Sequence, residues 1–228
     1  MLDIYVGYDP RESVAFHVLA HSLLRRSSVP LSVSPLVRSQ LGSIYTRPRG
    51  PIESTEFSMT RFLVPYLSGY AGWSLYMDCD MLCRTDIADL AAESERHADK
   101  AVVVCNHDYV PKSERKFLDQ VQTKYARKNW SSLMLMNCAK LKLWTKETVE
   151  TQSGAYLHRF QDIPDEEIGE IPNTWNTLDW MDEDTRLVHD SSGGPRFEQC
   201  RDHPYGAAWL EWRDRYRAAK AAGDPLAA

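Results

Sequence analysis

The sequence predicts an α/β fold on a mixed, mostly parallel sheet flanked by helices, and three observations carry that expectation. Apolar runs of strand length alternate with stretches of helical periodicity. Several runs, among them Ile4-Tyr5-Val6, Ser74-Leu75-Tyr76-Met77 and 101–105, are apolar at successive positions, as strands buried on both faces are. Polar residues stand just beyond their carboxyl ends: Asp9, Asp78, His107, Asp108 and His189. Open α/β sheets collect ligands at that edge.

The elements follow in order. The first strand ends in the turn Gly7-Tyr8-Asp9-Pro10, and a helix is expected over 12–26, with Ala15, Val18, Leu19 and Leu23 on one face. Residues 31–37 alternate and read as a second strand. A helix over 57–67 contains Pro65, which bends or ends it. Strands follow at 74–77, 101–105 and 133–136, and Leu187-Val188 leads into His189. A last helix, 205–220, carries Trp209, Trp212 and Tyr216 on an apolar stripe. The stretches 46–51 and 112–128 read as exposed loops or surface helices. The boundaries expected are one domain over 1–220 and a frayed tail over 221–228.

Composition narrows the function. The 228 residues are 43% hydrophobic and 26% charged, enough for an ordinary core. A net charge of -5 argues against nucleic acid as a partner, since phosphate backbones need a basic face. No run is long enough for a transmembrane segment, and Met1-Leu2-Asp3-Ile4 leads straight into a strand without a secretory signal. Five cysteines without paired spacing suit reduced thiols and a cytoplasmic location.

The sharpest chemical signal is Leu75-Tyr76-Met77-Asp78-Cys79-Asp80. Two carboxylates at i and i+2 after an apolar strand can face one cavity, and hard divalent ions prefer such oxygen ligands. The same spacing also describes a solvated turn. Tyr8-Asp9-Pro10 has two compatible readings: a base or ribose contact, or a turn in which Asp9 caps the next helix. Arg61 on spacing alone pairs with Glu53 or Glu56, and His189 alone reads as structural.

In order along the chain stand Ile4–Asp9, Thr60-Arg61-Phe62 with Pro65, Leu75–Asp80, 131–137, Trp175-Asn176, and Val188-His189 with Gly193-Gly194-Pro195. This ordered set resembles the family-8-type nucleotide-sugar glycosyltransferases of the GT-A fold, whose DxD motif matches Asp78 and Asp80. The resemblance implies a hexosyltransferase-type enzyme with a nucleotide diphosphate donor, usually a uridine diphosphate (UDP) sugar, transferring with retention to a glycan, lipid-linked sugar or small molecule. It also implies Mn²⁺ or Mg²⁺, with Asp78, Asp80 and His189 as metal ligands. Donor contacts are implied at Tyr8, Asp9, Arg61, Asp78, Gly193, Gly194 and Arg196.

Two departures stand out. The family has a glycine closer to the histidine and a lysine before proline and tryptophan, where this chain reads Gly193-Gly194-Pro195-Arg196-Phe197. The family's acidic-amide element upstream of Trp175-Asn176 is replaced by Tyr156-Leu157-His158-Arg159 and the acidic loop 165–167. His158, Asp165 and Glu166 are therefore the catalytic candidates. Trp175 and Trp180 are the tryptophans nearest a sugar-stacking role. Lys112, Arg115, Lys116, Lys124, Arg127 and Lys128 hint at an anionic acceptor, or at a solvated face.

Competing functions are a catalytically silent nucleotide-sugar-binding module and a haloacid-dehalogenase-like phosphatase. The phosphatase also places DxD after a strand, but wants Thr or Val where this chain has Leu82. It also wants the motif on the first strand, whereas about a third of the chain precedes Asp78.

Overall fold

The computed structural model describes residues 1–51, 53–108, 115–116, 120–121 and 126–227. Nine strands carry the architecture: β1 (Leu2–Gly7), β2 (Leu31–Leu36), β3 (Trp73–Met77), β4 (Met81–Cys83), β5 (Val102–Cys105), β6 (Leu133–Asn137), β7 (Ile168–Ile171), β8 (Thr177–Leu178) and β9 (Leu187–His189). Six form the main sheet in the order β2-β1-β3-β6-β5-β7, in which only β6 runs against the others. A smaller sheet, β8-β9-β4, pairs β4 antiparallel with β9. A short ribbon joins Arg115–Lys116 to Gln120–Val121. The expected α/β class and mostly parallel sheet are therefore observed.

Why the strands are apolar at every position is visible in the core. Ile4, Val6, Leu75, Met77, Val103, Leu133 and Leu135 face one side of the sheet. Tyr76, Val102, Val104, Met134 and Met136, alternating with them, face the other. The first side is covered by helix α1 (Ser13–Arg26) through Leu19 and Leu23. The second packs on Phe62, Leu63 and Trp144, together with Leu157 of the short helix Gly154–His158 and Phe160. The remaining face of α1, with Ala15 and Val18, meets Trp209 and Trp212 of the C-terminal helix, Gly206–Ala221. The stripe read in the sequence is thus a packing seam.

Two expectations need correction. Residues 57–67 form no single helix: a 3-10 turn at Thr60–Leu63 runs into a short helix at Val64–Leu67, with Pro65 in its first turn. Proline has no N–H for an α-helical bond, and the chain closes instead through Val64 N to Arg61 O. Over its described residues, 221–227, the tail is anchored. Asp224 pairs with Arg25, Leu226 O meets His21 Nδ1 at 3.1 Å, and Ala227 is buried. Of the expected basic loop, Lys112 and Lys124 lie outside the described residues. Among those described, no helix is long and apolar enough to cross a membrane, and all five cysteines are free thiols.

Gly7 ends β1 against the core of the future site. A Cβ there would stand 2.5 Å from the Phe57 ring and 2.5 Å from the Tyr76 hydroxyl. Neither ring has room to retreat, since both are fully enclosed. Gly7→Ala is expected to cost about 1–3 kcal/mol of overpacking, read as a lower midpoint in urea unfolding with an unchanged slope.

Candidate active site

The turn between β3 and β4 contains Asp78 and Asp80. Its first residue continues the sheet, Asp78 N donating to Ser132 O at 2.9 Å. Beyond it the chain crosses to the smaller sheet, where Met81 stands opposite His189. Asp190 N then donates to Asp80 O at 2.9 Å. Strand pairing alone therefore brings His189 beside the two aspartates, 109 positions after Asp80. Ligand atoms of Asp78, Asp80 and His189 lie within 4.8 Å of one another, and all three residues are buried.

Each carboxylate is held differently. Asp78 Oδ1 accepts from the Tyr76 hydroxyl at 2.8 Å and pairs with Arg61 Nη1 at 3.0 Å. Burial raises the Asp78 carboxyl above its usual range; Arg61 opposes that and Asp80 adds to it. Asp80 Oδ1 is buried with no hydrogen-bond partner and faces His189 Nε2 at 3.5 Å.

Neighbouring side chains fix the state of that histidine. Ser132 Oγ gives its single proton to Asn129 O at 2.6 Å, so it accepts from Asn176 Nδ2 at 2.9 Å. The Asn176 amide oxygen is thereby turned to His189 Nδ1, at 2.9 Å, and Nδ1 must donate to it. The lone pair of the neutral ring is left on Nε2, facing Asp80. Two acceptor atoms across a 3.5 Å gap call for a proton or a cation between them. A divalent ion satisfies this gap and Asp78 as well, so the residues fit the metal expected from sequence.

These groups line a cavity of about 720 Å³. Arg61, Asp78, Asp80, His158 and His189 line it, with Glu53, Phe57, Lys128, Ser131 and Arg159. His158 Nδ1 lies 2.8 Å from Ser131 Oγ, and its ring packs edge-on against Phe62. Burial, then the positive Arg61 and Lys128, push its pKa down to about 3. His107 is lowered to about 4, first by burial and then by His189.

The other expected site residues lie elsewhere. Asp165 and Glu166 precede β7, at the amino end of that strand, on the opposite edge of the sheet from Asp78. Asp165 pairs with Arg127 at 2.5 Å, and neither acid lines the cavity. Asp9 is 1% exposed and caps the turn Pro10–Glu12. Its carboxylate accepts from Arg11 at 2.9 and 2.5 Å and from Glu56 N at 3.1 Å. Burial opposes its ionisation, but Arg11 and these bonds hold it below the usual range. Tyr8 packs edge-on against Phe16 instead of lining the cavity. Trp175 is buried, whereas Trp180 is exposed.

Gly193, Gly194 and Arg196 form no open phosphate cradle. Gly193 has φ of 111°. A Cβ on Gly194 would stand 1.8 Å from Asp190 Oδ2. Arg196 is withdrawn behind the aspartates, paired with Glu12 at 2.5 Å and Asp190 at 3.1 Å. Sequence reasoning missed Glu12 and the roles of Asn176 and Ser132. The signal for Glu12 was an acid in the first turn after Asp9-Pro10.

Comparison with known proteins adds kinship. No protein-family model matches the chain. Protein CDI of Arabidopsis thaliana is 45% identical, the match covering 93% of this chain and 86% of that protein. The chain belongs to the CDI family. Among solved structures, a mutant of LgtC matches this CDI-family chain with a TM-score of 0.62 at 11% identity, over 94% of this chain and 96% of LgtC. The glycosyltransferase GlyE of Streptococcus pneumoniae TIGR4 gives 0.62 at 12% identity over 93% of this chain, and the bifunctional glycosyltransferase WbbM gives 0.60 at 11% over 92%. The chain spans 60% of GlyE and 51% of WbbM. At these identities the likeness establishes the fold, which is GT-A.

Two outcomes are expected. Asn176→Ala frees the His189 ring and should weaken Mn²⁺ binding by about 10- to 100-fold, measured by calorimetry without nucleotide. His107 and His158 have depressed folded pKa values and bind their protons only on unfolding near pH 6.5. Their contribution is present above about pH 6.5 and is lost as pH falls toward 4 and 3. Melting temperature in EDTA should drop between pH 7.5 and 5, and His158→Gln should flatten that slope.

Proposed function

We propose that this CDI-family chain is a metal-dependent glycosyltransferase of the family-8 type. It takes a hexosyl group from a nucleotide diphosphate donor, a UDP-sugar, and transfers it with retention to a carbohydrate or small-molecule acceptor in the cytoplasm. The observation that carries the reading is the orphaned oxygen of Asp80 facing a histidine of fixed tautomer, beside Asp78, in a cavity of a GT-A fold.

Asp78, Asp80 and His189 would hold Mn²⁺ or Mg²⁺. A bound ion would supply Lewis-acid neutralisation of the departing diphosphate. The chain's own residues do the rest. Arg61 and Tyr76 fix one oxygen of Asp78, leaving the other for the metal or the donor. Ser131 and Ser132 offer neutral hydrogen-bonding groups to sugar hydroxyls, with His158 holding Ser131 in place. Ser54, Thr55 and Phe57 line the cavity, and Asp9 supports their segment through Glu56 N. We assign the nucleoside end of the donor to that side. The acids of Asp165 and Glu166 take no part, on their placement at the other sheet edge.

UDP binding should require Mn²⁺, and Asp80→Ala should abolish the metal-supported part while leaving the melting curve cooperative. Removing a ligand costs more than the 10- to 100-fold of an outer neighbour, so a loss above about 100-fold is expected by calorimetry. UDP affinity that is the same in Mn²⁺ and in EDTA would sink the metal assignment.

A further inference from the structure

The Gly193–Phe197 segment is where this chain departs from the family pattern, and its geometry assigns Arg196 a different task. Arg196 has a side chain only 2% accessible and lies outside the cavity lining. Its Nη2 lies 2.5 Å from Glu12 Oε2 and 3.8 Å from Asp80 Oδ2, and its Nη1 lies 3.1 Å from Asp190 Oδ2. Glu12 is itself fully buried at the start of α1. We propose that the buried Glu12–Arg196 pair is a positioning clamp that orients Asp80 for the metal, and that Arg196 does not touch the donor diphosphate.

Three features carry this. The guanidinium fork spans three carboxylates from three chain segments through two nitrogens held in one plane, a spread that the single nitrogen of an ammonium does not have. Gly194 makes room for it: an added Cβ would stand 2.5 Å from Arg196 Nη1 as well as against Asp190. Gly194 therefore serves the inward turn of the arginine, not a backbone approach to phosphate. Asp80 also has its other oxygen, Oδ1, without a partner. One carboxylate oxygen turned toward a buried cation leaves the second aimed at His189.

The assignment rests on the metal reading of Asp78, Asp80 and His189. Single removal of Arg196 is ambiguous, because it loses an orienting group yet also removes a positive charge that repels the metal. Glu12→Gln and the double variant Glu12→Gln/Arg196→Gln separate these effects. The double variant keeps the net charge unchanged, and exchanging a buried ion pair for neutral groups is compatible with folding. Mn²⁺ binding without nucleotide, followed by electron paramagnetic resonance, and UDP binding in EDTA are measured on the full chain. We expect the double variant to bind Mn²⁺ about 10-fold or more weakly, with metal-free UDP affinity unchanged. Glu12→Gln, which leaves Arg196 less compensated, should also bind Mn²⁺ more weakly. Wild-type Mn²⁺ affinity in both variants overturns the clamp, as does weaker metal-free UDP binding in the double variant, which would mark Arg196 as a diphosphate contact. A wild-type protein that takes up no Mn²⁺ overturns the metal reading and the clamp together.

Discussion

Four carboxylates, Glu12, Asp78, Asp80 and Asp190, are withdrawn from water at the carboxyl edge of the strands, with Arg61 and Arg196 as the cations among them. An uncompensated buried charge costs several kcal/mol even after relaxation, so such a group must pair, take a proton or bind an ion. Each carboxylate here resolves this differently. Asp78 leans on Arg61, and Glu12 on Arg196. Burial pushes Asp190 up to about 8, against the pull of Arg196. Asp80 keeps only a distant share of Arg196 and one oxygen with no partner. The residual negative charge of the cluster is therefore concentrated where His189 presents a lone pair.

The fold holds that imbalance in place because its members come from rigid, distant parts of the chain. Glu12 starts the helix that covers one face of the main sheet, and Asp80 leaves the strand beneath it. His189 ends the central strand of the smaller sheet and Asp190 follows it, so the pairing of that strand with β4 sets their register. A one-residue slip in that pairing would turn His189 away from the cavity. Asn176 and Ser132 bind the histidine back to the main sheet through Ser132 O, which accepts from Asp78 N. The two sheets are thus joined at the site itself, and rigidity there follows from the same bonds that keep the core closed.

The sheet was legible because burial on both faces forces continuous apolar runs, and β1, β3, β5 and β6 follow those runs closely. The aspartate pair was legible for a related reason, since its position is fixed by the end of a buried strand. Other features depended on information that spacing does not carry. The tail looked loose because its small residues have little propensity of their own, yet the ion pair of Asp224 with Arg25 and the buried Ala227 are tertiary contacts. Asp165 and Glu166 looked catalytic by sequence order, and only the parallel direction of β7 places them at the wrong edge. Arg196 looked like a phosphate ligand because a glycine-rich loop and a cation usually mean one. The direction of its side chain is decided by Glu12, 184 positions earlier.

His158 marks the other departure from the family pattern, and its environment limits what it can do. A general base works best with a pKa near the operating pH, because it must both be unprotonated and have driving force to take a proton. Burial and the nearby Arg61 and Lys128 hold His158 at about 3, so near neutrality it is a neutral ring with little affinity for a proton. Its hydrogen bond with Ser131 and its edge contact with Phe62 fix its plane. Such a group orients the Ser131 hydroxyl and takes no proton from it. Among the described residues lining the cavity, the carboxylates are Glu53, Asp78 and Asp80. Glu53 accepts from Gly50 N, and the other two face the metal position. Under the proposed transfer, no side chain in the described lining is thus set apart as a base. In that proposal the departing diphosphate, whose oxygens gain negative charge as the sugar bond breaks, would be the acceptor for the proton of the incoming hydroxyl. That requirement favours a hydroxyl bound on the same side of the sugar as the diphosphate, which is the geometry that retention demands.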